Sequence, residues 1–169
     1  RIQLQGEASG VIPDKQYRAK HYKKWYTGQT IITGIGQGDL LTTPLQLARA
    51  TMLLANGGID YPLHIIPMYV LPSPKRLNFN SKNLHYIIEA MQDVAINGTA
   101  RKIGKKPFTL ACKTGSAQVA ELKEQSHYSH LPRHKKDHHL FLGFAPANHP
   151  SIVIVVVVEH QHEALVVAN

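Results

Sequence analysis

Residues 111–119 read ACKTGSAQV, which sets Lys113, Thr114, Gly115 and Ser116 in the middle of a strand-forming run. A lysine resists burial and a glycine weakens a strand, so such a run either turns a corner or builds a site. The chemistry on offer is anion recognition. Lys113 supplies a cation, and Thr114 and Ser116 supply hydroxyls that hold a carboxylate. Gly115 removes a side chain, so that a second backbone can lie against the strand. Amides on an edge strand pair with an extended peptide or point at a developing oxyanion. Together the four residues suit a peptide ending in a carboxylate. Alone, Lys-Thr-Gly also fits an exposed strand with no function.

The elements that must hold this strand can be read from pattern. Thr43, Pro44 and Gln46 form a capping-box start, and the spacing predicts a helix from Pro44 to about Asn56, ended by Gly57-Gly58. Its leucines spread round the axis, so it is largely buried. A second helix is expected from about Lys82 to Ile96, with Ser81 as its cap and Asn97-Gly98 as its stop. Leu84, Ile87, Ile88, Met91, Val94 and Ala95 give it one apolar face. Four prolines within 59–80 predict short extended pieces, with a strand over Ile65–Leu71. Residues 1–38 read as loop-rich, with "GIGQG" (34–38) following the β-branched run Thr30–Thr33.

Three strands should follow, at about Thr109–Glu121, His139–Phe144 and Ile152–Glu159, in an antiparallel meander. The last is apolar on both faces and is expected to be the central strand, covered on both sides. Ala145–Ser151 reads as a hairpin turn. Residues 122–138 form a long, exposed, His- and Lys-rich link. The order of elements is α+β.

Composition narrows the functional classes. The chain has 169 residues, 43% hydrophobic and 18% charged, as in a globular domain. Its net charge of +8 suits an acidic partner. The basic residues fall in short clusters without an RNA-reading aromatic motif, which argues against nucleic acid. The longest apolar run, Ile152–Val158, is too short to span a membrane. The start at Arg1 suggests a fragment or a processed piece. Cys112 has no partner for a disulfide, and reads as a small buried strand residue.

Other chemistry can be weighed against these. "GIGQG" lacks the Gly-Lys-Ser/Thr of a phosphate loop and reads as a tight turn. His127, His130, His134, His138 and His139 read as solvated side chains rather than metal ligands, and no cofactor is called for. Asn97-Gly98-Thr99 matches a glycosylation sequon but is explained as a helix stop. Asp39, Glu121 and Glu159 are given no role, and Trp25 and Tyr26 read as half-buried anchors.

Five blocks carry a resemblance. "WYTGQT" (25–30), "GIGQGDLLTTPLQLARATMLLANGG" (34–58), "NGTARKIG" (97–104), "CKTGSAQV" (112–119) and "FLGFAPANHPSIVIVVVVE" (141–159) stand in one order. In these the chain resembles the class B penicillin-binding proteins, above all the elongation type, from about Gly6 to Glu159. Lys-Thr-Gly is one of three motifs of the penicillin-recognising serine enzymes, with Ser-x-x-Lys and Ser-x-Asn.

The resemblance implies the penicillin-binding transpeptidase and serine β-lactamase-like α+β fold, an antiparallel sheet flanked by helices, here as a partial domain. It implies a peptidoglycan D,D-transpeptidase whose serine is acylated by stem peptides and by β-lactams. Lys113 would belong to the catalytic hydrogen-bond network. Thr114, Gly115 and Ser116 would bind substrate, and the Ser116 backbone N–H would be one oxyanion donor. Ser116 stands where the family more often has threonine. The implied setting is the periplasmic face of the inner membrane, with other cell-elongation proteins as partners.

Two motifs are missing from these residues. Ser9, Ser73, Ser81, Ser116, Ser126, Ser129 and Ser151 are followed three places on by Ile12, Arg76, Leu84, Val119, Ser129, Pro132 and Ile154, never by lysine. Ser81-Lys82-Asn83 opens a helix and lies downstream of "GIGQG", where the family has its Ser-x-Asn upstream. The chain is therefore expected to be the C-terminal part of a transpeptidase domain, inactive alone and partnered by the N-terminal part of the same protein, with the family's last helix cut short or divergent. Two rivals are a serine β-lactamase or β-lactam sensor, and a non-catalytic scaffold module of the cell-wall machinery.

Overall fold

The computed structural model describes residues 6–21, 24–65, 72–103, 106–119 and 131–160. The chain divides into two compact units, Ala8–Thr43 and a second made of Arg1–Glu7 with Pro44–Asn169.

The first unit holds two helices, α1 (Lys15–His21) and α2 (Thr27–Gly34), where the sequence suggested loop. Asp14 starts α1 by accepting the Tyr17 amide at 2.6 Å, a cap that the loop reading overlooked. The β-branched run Thr30–Thr33 is helical despite its preference for strand, because local propensity is a weak determinant. Arg18 fastens the unit. Its Nη1 donates to Gln29 Oε1 and to Asp39 Oδ2, each at 2.7 Å. "GIGQG" is a turn, with Gly36 at φ 77° and Gly38 at φ 76°. A Cβ on Gly38 would stand 2.9 Å from Ile32 Cγ2. Trp25 is half-buried as expected and donates its indole N–H to Thr30 Oγ1 at 2.9 Å, whereas Tyr26, expected to be half-buried too, is exposed at 61%.

The second unit carries the sheet. Helix α3 spans Pro44–Ala55 and α4 spans Ser81–Ile96, close to the sequence reading. The cap of α4 is Asn80, not Ser81: its side chain accepts from the amides of Lys82 and Asn83 at 3.0 and 3.1 Å. Both residue types cap well, and here the chain turns into the helix one position earlier. Between the helices, β1 (Ile59–Asp60) pairs antiparallel with β2 (Lys75–Arg76). Of the strand predicted over 65–71, only Ile65 is described, in a bend; residues 66–71 lie outside the described residues.

The main sheet is the antiparallel meander β3 (Ala111–Ala117), β4 (His138–Ala145) and β5 (Ile152–Val158), in the order β3-β4-β5. This corrects the expectation that Ile152–Glu159 is central. In three consecutive antiparallel strands the middle one in sequence takes the centre, and that is β4. Ile152 and Ile154 of β5 stay exposed, at 62% and 38%. Phe141 and Phe144 of β4 are buried on opposite faces. Ala100, Ile103 and Cys112 pack with Phe141; Met91, Ala111 and Ala147 pack with Phe144. Gly143 lets β4 close on β3, since a Cβ there would stand 2.8 Å from the Ala111 carbonyl oxygen. The turn after β4 is the hairpin expected, closed by Ser151 N–H on the Ala145 carbonyl at 3.1 Å. Most of the His-rich link, residues 120–130, lies outside the described residues; Arg133–Lys135 form a 3-10 turn.

Candidate functional site

All four residues singled out by the sequence lie on β3, in register with β4: Lys113 opposite Leu142, Thr114 opposite Phe141, Gly115 opposite Leu140 and Ser116 opposite His139. The strand starts buried at Ala111 and Cys112; from there Lys113, Gly115 and Ser116 are exposed, and Thr114 and Ala117 half-buried. Among the described residues, β3 has a strand neighbour on one side only. This is the arrangement that receives an extended peptide.

Strand alternation places Thr114 and Ser116 on one face, with Lys113 and Gly115 on the other. The two hydroxyls are thus brought together. Thr114 Oγ1 lies 2.7 Å from Thr99 Oγ1, in the segment that follows α4. Ser116 Oγ lies 3.4 Å from His139 Nδ1 across the strand pair. The Lys113 ammonium is placed on the Thr114 carbonyl oxygen at 2.5 Å. Gly115 is not demanded by the sheet itself. A Cβ there would meet Leu140 Cβ at 3.6 Å, an ordinary contact.

Thr99 is a neighbour that the sequence reading missed. In the sequence, "NGTARKIG" is one block of the resemblance and Asn97-Gly98 a helix stop, but nothing in a linear pattern joins position 99 to 114. The structure does so through the end of α4. The Asn97 and Gly98 amides both donate to the Asp93 carbonyl, at 2.8 and 3.1 Å, and the Ala100 amide donates to that of Val94 at 3.2 Å. This turns the chain back so that Thr99 meets β3. His139 lies on β4, as the strand expected from His139 to Phe144 has it, but it is half-buried opposite Ser116 rather than a solvated side chain.

Cys112, beside Lys113, is fully buried. Burial pushes its thiol up to about 11, against a smaller downward pull from Lys113. It is packing, not a nucleophile. The other residues weighed earlier do not converge on β3. Asp39 pairs with Arg18, Glu159 sits in the turn after β5, and Glu121, His127 and His130 lie outside the described residues. His138 packs its ring on that of His160, centroids 4.5 Å apart. A groove of about 510 Å³ runs between α4 and residues 106–110, lined by Ile96, Arg101, Lys106 and Phe108 among others; none of Lys113–Ser116 lines it. Among the described residues no helix is long and apolar enough to cross a membrane.

A three-stranded antiparallel meander flanked by helices, with Lys-Thr-Gly on its first strand, defines an α+β chain of the penicillin-recognising transpeptidase type. The chain belongs to the family described as the penicillin binding protein transpeptidase domain, whose model matches residues 1–169. It is 37% identical over 172 residues to the peptidoglycan D,D-transpeptidase MrdA of Acinetobacter baumannii, covering 94% of this chain and 26% of that protein. Its fold is similar to Pseudomonas aeruginosa PBP2, solved in complex with WCK 5153, with a TM-score of 0.80 at 37% identity over 99% of this chain and 36% of that one. It is also similar to Helicobacter pylori PBP2, solved in complex with MreC, with a TM-score of 0.77 at 31% identity, covering 92% of this chain and 28% of that one. The chain spans about a quarter of the length of the curated relatives it matches.

Proposed function

We propose that this chain is the C-terminal part of a peptidoglycan D,D-transpeptidase domain of the elongation type. The observation that carries the reading is the pair of hydroxyls, Thr114 and Ser116, on one face of a Lys-Thr-Gly strand, in a chain that belongs to the transpeptidase family. In this reading β3 receives the end of a stem peptide. Thr114 and Ser116 bind its terminal carboxylate, and Lys113 supplies positive charge and joins the catalytic hydrogen-bond network. Gly115 keeps the strand open to the approaching backbone, and the Ser116 amide donates to the oxyanion.

The nucleophilic serine and its lysine come from outside these 169 residues. That serine attacks the carbonyl of the penultimate D-alanine. Terminal D-alanine leaves as the acyl-enzyme forms, and an amine from a neighbouring strand resolves it. A β-lactam acylates the same serine. The intact protein is held at the cytoplasmic membrane with this part on the periplasmic side, among other proteins of cell elongation. The H. pylori relative solved with MreC supports that class of partner. The A. baumannii relative is named a peptidoglycan D,D-transpeptidase, which favours this reading over a β-lactamase or a scaffold.

The test is acylation of the intact protein by a penicillin. Lys113→Ala, and Thr114→Val with Ser116→Ala, should each slow acylation by about 10- to 100-fold, the loss of charge-assisted hydrogen bonds. Unchanged rates in both would overturn the reading.

A further inference from the structure

We propose that His138 and His160 form an acid-opened latch, which ties the chain leaving β5 to the start of β4 and releases it when His138 takes up a proton. The inference goes beyond the transpeptidase reading and does not rest on it.

The partners fix where each proton sits. The His160 backbone N–H donates to His138 Nδ1 at 3.2 Å. An amide N–H can only donate, so Nδ1 holds a lone pair and the His138 proton sits on Nε2. His160 Nδ1 meets the Lys136 carbonyl oxygen at 2.9 Å. A carbonyl can only accept, so this nitrogen carries hydrogen whether the ring is neutral or charged. The two histidines therefore respond differently to acid. Protonated His160 keeps its bond to Lys136. Protonated His138 turns an Nδ1–H toward the His160 N–H, and the bond between the two is lost. The ring centroids are 4.5 Å apart, so two imidazoliums would also repel. His160 stands at φ 57°, a left-handed conformation that a non-glycine residue keeps only where its surroundings hold it. The latch supplies that hold, and its loss frees the turn.

Both histidines are half-buried, and among the described residues no ion pair joins either ring to a carboxylate. The segment before β4 carries Arg133, His134, Lys135, Lys136 and Asp137, and Asp137 accepts the Val119 amide at 3.3 Å. Glu159, in the turn after β5, is exposed. On β3, Lys113 shares the His138 face, beyond Ala117 and Gly115. Helix α3 covers the far end of that face through Leu54 and Ala55, beside Phe144. Its one charged residue, Arg49, is held by Asp60. Helix α4 packs there through Ile88 and Met91 and carries Lys82, His85, Tyr86, Glu89 and Asp93. Of these, His85 pairs with Glu89 at 3.2 Å, and Asp93 accepts from the Asn97 side chain at 2.6 Å. Carboxyl groups ordinarily titrate below the histidine range and lysines far above it, so opening in that range follows an imidazole.

The experiment is hydrogen exchange of the intact protein, read by mass spectrometry on the peptide that holds the His160 amide. The closed latch is favoured above the histidine range and loses that advantage as pH falls through it, because only the open form accepts the proton. Such a proton multiplies opening about tenfold at one pH unit below the ordinary histidine value. Protection of the His160 amide, corrected for intrinsic exchange, should thus fall about tenfold from about pH 7.5 to about pH 5.5. His138→Asn puts a carbonyl oxygen in the acceptor position without a titrating group, and should keep the neutral protection at both values. His160→Gly keeps the amide and suits the left-handed turn, and should keep the fall in acid, since His138 carries it. Wild-type protection that stays flat overturns the proposal without recourse to any variant. A fall that persists in His138→Asn, or vanishes in His160→Gly, overturns the assignment to His138.

Discussion

Thr99 Oγ1 and Thr114 Oγ1 lie 2.7 Å apart, joining the segment after α4 to the middle residue of Lys-Thr-Gly. A hydroxyl held from behind keeps one rotamer, so Thr114 meets a carboxylate already oriented. Thr99→Val removes the support with little change of shape. It should slow acylation by a penicillin about fivefold, the worth of a neutral hydrogen bond near 1 kcal/mol. In a double-mutant cycle with Thr114→Val the two losses should not add. Additive losses would show that the contact does not serve the site.

Gly115 separates fold from function. An added Cβ finds only ordinary contact with Leu140, and alanine in a strand interior is better than glycine by about 0.5–1 kcal/mol. Gly115→Ala should therefore leave the thermal midpoint unchanged or raised, while acylation drops about tenfold as the methyl group meets the incoming backbone. A variant that is both stable and fully active would remove the reason given for this glycine.

Cys112 makes an alkaline prediction. Its thiol is about 11 in the fold against an ordinary 9.0, so the folded state keeps the proton longer than the unfolded chain. The stability this gives is fully present below 9.0 and is lost as pH rises toward about 11. The difference in denaturation midpoint between wild type and Cys112→Ala should be flat below that window and shrink within it. At neutral pH the native thiol should resist a disulfide reagent that modifies it readily in denaturant. Fast native labelling would contradict the burial.

Arg49 and Asp60 make the acid counterpart. Arg49 Nε donates to Asp60 Oδ1 at 2.8 Å and Nη2 to Oδ2 at 2.5 Å. These hydrogen bonds hold the Asp60 carboxyl below its ordinary 3.8. Their stabilisation is present above that value and lost as pH falls through the lowered one. Arg49 is partly exposed, so Arg49→Ala should cost no more than about 1 kcal/mol at neutral pH. The cost should vanish below the ordinary carboxyl range in acid denaturation curves. A cost independent of pH would assign it to packing instead.

The legible parts of this chain were those where local signals and tertiary packing agree. Pro44 and Gly57 bracket α3, and the apolar spacing from Leu84 to Ala95 marks α4. β3, β4 and β5 stand out as apolar runs separated by polar links. Helices α1 and α2 were not legible: both are short, and Gly28 with Thr30–Thr33 argues locally against helix. The centre of the sheet is not legible from the apolarity of Ile152–Val158, because strand order follows chain connection, not hydropathy. At the site, Lys113–Ser116 were visible as a motif. Thr99 and His139 were not, since each reaches β3 from another element.

The most direct measurement labels the intact protein with a fluorescent penicillin, cleaves it ahead of this segment, and reads the pieces on a denaturing gel. The account predicts label on the piece bearing Ser-x-x-Lys, none on this chain, and a large loss of label when Lys113 is replaced by alanine. Covalent label on this chain would mean that its own residues hold the nucleophile, and would contradict the account.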